Sequence, residues 1–184
     1  MQVRDFFLYS IVLAVSVVPA MGQSQDDDNI TASASVTSAV TVTGAENIQF
    51  GNIVPSTNAR TVSGDGTVTG DNAGDDTGAQ PGRFDVTKGP ETPVTLTFSA
   101  LTALTDDTET LTFSYGENSY LSTSDSEVLN GVVFDPASVL DISSESTYVT
   151  ASTFSVFVGG TVTPTADQAE GTYTGSITLT VEYN

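Results

Sequence analysis

The C-terminal stretch Gly171-Thr-Tyr-Thr-Gly-Ser-Ile-Thr-Leu-Thr-Val-Glu-Tyr-Asn184 decides the fold class of this chain. Its apolar residues occupy every second position, and Thr, Ser and Glu fill most positions between them. Because successive side chains of a β-strand point to opposite faces, this alternation predicts a strand with one face on a core. No residues follow with which it could form a hairpin, so we expect it to pair with an earlier segment or with another molecule. The inward positions are Tyr173, Gly175, Ile177, Leu179, Val181 and Tyr183.

Short segments rich in Thr, Val and Ser continue through the chain, separated by Gly, Pro, Asn and Asp. No long segment has helical periodicity. This pattern predicts an all-β fold, an Ig-like or pilin-like antiparallel β-sandwich that forms a single domain. Asn130-Gly131 is a tight-turn sequence and predicts a hairpin over residues 128–134. Further predicted strands are 30–42, 48–53, 61–69 (a small hairpin), 83–87, 94–101, 110–115, 148–149, 154–158 and the terminal strand.

Residues 1–22 have the features of a secretory signal peptide. Arg4 precedes an apolar run that ends near Val18, and the small residues that follow offer two cleavage sites, at Ala20 and at Gly22. The apolar run is too short to span a bilayer comfortably. We therefore expect cleavage, an acidic disordered N-terminus over 23–29, and a sandwich domain over 30–184. The mature protein would have no membrane span and would be periplasmic, surface-located or extracellular.

Composition argues against several classes of function. The formal net charge is −19, and only Arg60, Arg83 and Lys88 remain as cations after signal removal, so nucleic acid is a poor partner. The chain has no His and no Cys, which removes the commonest general base, the thiol nucleophile and any disulfide. Together these features predict a protein that is not an enzyme and has no cofactor.

A polar segment over residues 70–82 is rich in Gly and Asp, and we expect it to be exposed and mobile. Carboxylate oxygens suit calcium, which makes Asp71, Asp75 and Asp76 weak candidate ligands. Their spacing does not match the twelve-residue calcium loop that a closing Glu completes. The prediction is therefore a solvated acidic loop without a metal.

The end of the chain resembles that of bacterial pilins assembled by the chaperone–usher route. Those pilins have a Gly fourteenth from the C-terminus and a Tyr next to last, the positions of Gly171 and Tyr183 here. The chain is also similar to a family of exported bacterial domains of unassigned function. That likeness is carried by the alternating stretch 31–42 and by Ile48-Gln-Phe-Gly-Asn-Ile53, Gly82-Arg-Phe-Asp-Val-Thr87 and Val158-Gly-Gly-Thr-Val162. The chain departs from the pilins in having no disulfide and in having alanines where a donor strand carries larger residues.

These resemblances imply a structural subunit, as in a fimbrium, that joins other copies or related subunits by β-strand addition. A periplasmic chaperone would be a further partner. The alternative is a self-complete, monomeric adhesin-like binding module whose first strand pairs within its own sandwich and whose ligand meets the 70–82 loop. The strand-addition interface would comprise Ile30, Ala32, Ala34, Val36, Gly171, Tyr173, Ile177, Leu179, Val181 and Tyr183.

Overall fold

The structure is a computed structural model that describes residues 28, 30–34, 36, 38–116, 118–128 and 131–184. These residues form thirteen strands and one short helix. The strands are β1 (Thr41–Glu46), β2 (Arg60–Val62), β3 (Val68–Thr69), β4 (Gly82–Thr87), β5 (Val94–Phe98), β6 (Ala103–Asp106), β7 (Glu109–Ser114), β8 (Ser119–Ser122), β9 (Val132–Phe134), β10 (Leu140–Asp141), β11 (Thr153–Val158), β12 (Gly160–Thr163) and β13 (Leu179–Tyr183). The helix α1 (Ser146–Thr150) lies between β10 and β11.

All strand pairs are antiparallel, and they form three sheets with the orders β1-β4-β11-β8-β9, β10-β5-β13 and β3-β2-β12-β7-β6. The predicted all-β sandwich is therefore confirmed. Alternation is clearest in β5, where Val94 and Leu96 are buried and Thr97 is exposed. Burial of this face removes apolar surface from water, the main favourable contribution to folding.

Two apolar clusters fill the space between the sheets. The larger one joins β4, β8 and β11 to β5 and β13, and it includes Leu96, Leu121 and Val156, all fully buried. The smaller one lies against β7 and β12 and includes Phe50, Phe113 and Val162. Phe50 and Phe113 meet edge to face, with ring centroids 6.1 Å apart, a favoured aromatic geometry.

Gly159 connects β11 in the first sheet to β12 in the third. A Cβ at this position would lie 2.7 Å from the Val62 carbonyl oxygen and 2.8 Å from the Asn118 carbonyl oxygen. Both neighbours are backbone atoms and cannot rotate away, so only glycine fits this crossing. Gly159 thus lets one extended segment contribute to two sheets.

Three local predictions need correction. The first strand begins at Thr41 rather than at residue 30, because the earlier segment has few large apolar side chains to bury. Residues 148–149 belong to α1, where the ring of Tyr148 is buried against Phe154, so packing outweighs β propensity. The predicted strand 48–53 is reduced to a single bridge between Gln49 and Gln80. β9 pairs with β8, and residues 129–130 of the predicted hairpin lie outside the described residues.

Residues 36–184 form one compact unit. In the described part of the chain, no helix has the length and apolar character needed to cross a membrane.

Candidate functional site

The C-terminal segment has one paired edge and one open edge. β13 pairs with β5, and Thr174 exchanges two backbone hydrogen bonds of 2.8 Å with Thr105. Since the backbone groups of alternate residues in a strand point to opposite edges, those of Tyr173, Gly175 and Ile177 point away from β5 and β6. Among the described residues, no strand pairs with that edge. The terminal strand thus pairs with an earlier segment of the chain, β5, and its pairing with residues 30–36 stays a prediction.

A second open edge faces the first. β1 pairs with β4 alone, and beyond β1 Gln49 exchanges two backbone bonds of 2.9 Å with Gln80. The opposite edge of this segment has no paired strand in the described part of the chain. Two backbone edges that lack ladder partners thus border the same region, a feature that favours pairing with an added strand.

Between these edges lies a groove of about 930 Å³. Its walls are residues 44–53 and 168–177, which we call the N-terminal wall and the C-terminal wall. Its apolar floor comes from both clusters; Phe84, Leu101 and Leu104 are half-buried there, and the other floor residues are buried. The floor residues are Phe84, Leu101, Leu104, Leu111, Phe113 and Val158.

The Tyr183 side chain links the beginning and end of the compact unit beyond the groove. Its hydroxyl accepts a 2.8 Å hydrogen bond from the Gly89 N–H and donates a 2.7 Å bond to the Ser38 carbonyl. The chain upstream of β1 is thereby attached to the last strand. The predicted donor segment 30–36 ends two residues before Ser38.

The structure brings together some of the predicted interface residues. Tyr173 and Ile177 are half-buried and line the groove, and exposed Gly171 lies at its rim. A Cβ on Gly171 would meet the Asp106 carboxylate, the end of a side chain that can rotate away. Leu179, Val181 and Tyr183 instead pack on the larger cluster and do not line the groove.

The four N-terminal interface residues are exposed and lie outside any strand. Ile30 and Val36 are each 97% exposed, far more than apolar side chains of a folded core. Ala32 and Ala34 are also exposed. The structure therefore contains an open groove and an apolar segment that is not used in the core, and it leaves their association untested.

Sequence reasoning missed Arg60, which braces the N-terminal wall. The residue is 2% exposed, and its guanidinium donates to the carbonyls of Phe50, Asn52, Asp75, Asn72 and Gly74 at 2.5–3.2 Å. The first two acceptors belong to the wall and the others to the 70–82 segment. In the sequence Arg60 lies between Ala59 and Thr61, a setting that does not indicate burial of its side chain.

Most of the 70–82 segment is exposed, as expected, and hydrogen bonds join it to the rest of the domain at several points. Asn72 is buried and bonds both the N–H and the carbonyl of Val54. Asp76 forms a 3.0 Å ion pair with Arg60, and the Asp75 carboxylate accepts from the Thr77 N–H and hydroxyl, hydrogen bonds that lower its pKa. These carboxylates engage separate protein partners, and Asp71 contributes its carbonyl to Asn58. No cluster of three potential metal-ligating side chains occurs among the residues described.

The fold and this groove define a class: an all-β sandwich domain with an open, apolar edge beside its C-terminal strand. Residues 40–183 match the family model described as "Domain of unknown function (DUF4402)", and the chain belongs to that family. Neither the curated proteins nor the solved structures gave a match. The family description assigns no function, so the likeness to chaperone–usher pilins stays a hypothesis.

Proposed function

We propose that this protein is a non-catalytic, exported structural subunit whose groove accepts a β-strand from another copy. The observation that carries the proposal is the groove of about 930 Å³ between two walls whose backbone edges pair with no strand in the part of the chain that the structure describes. An inserted strand would supply hydrogen-bond partners to both walls and would cover the apolar floor. This is β-augmentation, in which backbone bonds provide affinity and alternate side chains provide specificity.

The donor we propose is the segment 30–36 of a second copy. At roughly 3.3 Å per residue its seven residues would extend about 23 Å as a β-strand. Its alternate residues Ile30, Ala32, Ala34 and Val36 are exposed and would present one apolar face to the floor. The two alanines suit shallow positions, while the two larger side chains supply most of the apolar area.

The affinity of this donor is expected to be modest. Burial of Ile30 and Val36 contributes about 3–6 kcal/mol, and roughly six new backbone hydrogen bonds at about 1 kcal/mol each contribute about 6 kcal/mol. Loss of translational and rotational freedom costs at least about 4 kcal/mol. The remainder is at most about 8 kcal/mol, which corresponds to a Kd of about 1 μM or weaker. Association should therefore depend on protein concentration across the micromolar to millimolar range.

The test is sedimentation velocity of the mature chain and its variants across that concentration range, with electron microscopy of the same samples. Ile30→Ser/Val36→Ser should abolish association without changing stability, because both side chains are exposed. The matched control is Val133→Ser/Val139→Ser, which removes two other exposed apolar side chains, 52% and 64% exposed. Equal association of the wild type and the donor variant would refute strand donation.

A second variant tests the groove itself. A Cβ on Gly44, in the N-terminal wall, would meet only the Phe84 ring at 3.8 Å. Gly44→Leu should therefore fold and place its side chain over the floor beside Phe84, where it would block an inserted strand. Mixed with the wild type, this variant should donate its own segment but accept none, and it should shorten any filaments.

The second candidate function is a self-complete monomeric binding module that presents the 70–82 segment. The bracing of that segment by Arg60 and Asn72 favours it, because a preorganised loop binds with less entropy loss. A wild type that stays monomeric at millimolar concentration would support this candidate and would contradict the subunit proposal.

A further inference from the structure

We infer that the strand addition proposed above is controlled by ionic strength, because both the groove end and the donor are acidic and no free cation opposes them. This inference rests on the proposed function and concerns the regulation of the same groove. It predicts association that strengthens with added salt, the opposite of an interface held by charge complementarity.

The first observation is that the cations of the compact unit are all engaged internally. The buried Lys88 donates to the Gly89 and Val149 carbonyls, and Arg60 is enclosed by backbone carbonyls. Arg83 pairs with Glu46 at 2.9 Å and with Asp85 at 3.2 Å. An approaching copy therefore meets a surface dominated by carboxylates, consistent with the formal net charge of −19.

The second observation places unpaired carboxylates at one end of the groove. The turn between β6 and β7 meets the C-terminal wall there, since Thr105 bonds Thr174 and the Asp106 carboxylate lies against Gly171. None of the acidic residues at the β6–β7 turn or in residues 167–170 forms an ion pair within the described part of the chain. They are Asp106, Asp107, Glu109, Asp167 and Glu170.

The third observation comes from the donor itself. Three consecutive aspartates at positions 26–28 precede Ile30, and no lysine or arginine occurs between residue 5 and Arg60. Insertion of this segment therefore brings like charges together, whichever direction it takes, because the acceptor surface is acidic as a whole. Like charges that face each other across an interface oppose association and slow the encounter.

Salt removes this barrier without changing the apolar contacts. The Debye length shortens from about 10 Å at 0.1 M to about 3 Å at 1 M ionic strength, so charges across the interface are screened more strongly at high salt. We expect the association constant of the mature chain to rise on the order of tenfold from about 0.02 M to about 0.5 M NaCl. Sodium chloride is chosen because sulfate and phosphate also strengthen apolar burial.

The experiment is sedimentation velocity of the mature chain across this NaCl series. Two charge variants with the same change in net charge accompany it. Asp107→Asn/Glu170→Gln neutralises the groove end, and asparagine tolerates the positive φ of 48° at position 107. The control Glu127→Gln/Glu182→Gln neutralises exposed residues that do not line the groove. The groove-end variant should associate severalfold more strongly than the control at low salt, and the two should converge at high salt.

The outcomes separate the two proposals. Association that is unchanged or weakened by salt, and is still abolished by Ile30→Ser/Val36→Ser, overturns the charge barrier and leaves strand addition standing. Equal behaviour of the two charge variants also overturns the barrier. A chain that stays monomeric at every salt concentration overturns both. A rise with MgCl₂ but not with NaCl at matched ionic strength would contradict screening and would indicate bridging by the divalent ion.

Discussion

Replacement of Arg60 by methionine tests whether one buried guanidinium holds the N-terminal wall against the 70–82 segment. Methionine keeps much of the apolar stem but removes every donor. Of the five carbonyls that Arg60 bonds, those of Phe50 and Asn72 form buried hydrogen bonds, whereas the other three are part-buried and can regain water. Each buried carbonyl left without a partner costs about 1–3 kcal/mol, so we expect a loss of about 2–6 kcal/mol.

That loss is a large part of the stability of a domain of this size, which is typically about 5–15 kcal/mol. Equilibrium unfolding in urea measures it, and amide hydrogen exchange should show the extra opening at residues 50–52 and 72–75. Asp76→Asn is the matched control, because the Asp76 side chain is 62% exposed and its ion pair with Arg60 should contribute under about 1 kcal/mol. If the free energy of unfolding of Arg60→Met lies within about 1 kcal/mol of the wild-type value, the bracing role is refuted.

Three further substitutions test other parts of the structure. Gly159→Ala should cost at least about 3 kcal/mol in urea unfolding because its Cβ meets backbone atoms, whereas Gly44→Ala should stay within about 0.5 kcal/mol; similar losses would contradict this account. Tyr183→Phe should cost about 1–2 kcal/mol and speed hydrogen exchange or proteolysis near Ser38, and an unchanged rate there would refute the link. Hydrogen bonds, first from the Ser143 hydroxyl, lower the pKa of Asp141 below 3.8, so its stabilisation is present above about pH 4 and is lost as pH falls through the lower folded value. Asp141→Asn should flatten that part of the stability–pH profile, and an unchanged profile would exclude this carboxyl.

The prediction of secondary structure succeeded where alternation was strong and failed where it was short. The segments that became β5, β7 and β11 carry repeated large apolar residues at period two, and each forms a strand. Residues 148–149 offered only two positions, too few to distinguish a strand from a helical turn. β6 was not predicted, because residues 103–106 contain a single large apolar side chain, Leu104.

Of the two walls of the candidate site, the C-terminal wall was the more predictable from the sequence. The parity of Tyr173 and Ile177 correctly indicated inward positions on the C-terminal wall. The N-terminal wall was less predictable, since residues 50–53 form no strand and their position depends on Arg60. The carbonyls that accept hydrogen bonds from Arg60 belong to separate segments of the backbone. Because every residue has a backbone carbonyl, the side-chain pattern does not indicate which ones will bind a guanidinium.

The amino-acid sequence by itself determined the all-β class, the inward face of the terminal strand and the acidic surface. Each of these follows from side-chain type and spacing along the chain, which are local properties. The tertiary structure alone decided that the terminal strand pairs with β5, that no strand of the described residues pairs with its other edge, and that an apolar groove lies beside the segment before it. Those outcomes depend on which distant segments meet, and many pairings satisfy the same alternation, so only packing of the whole chain selects among them.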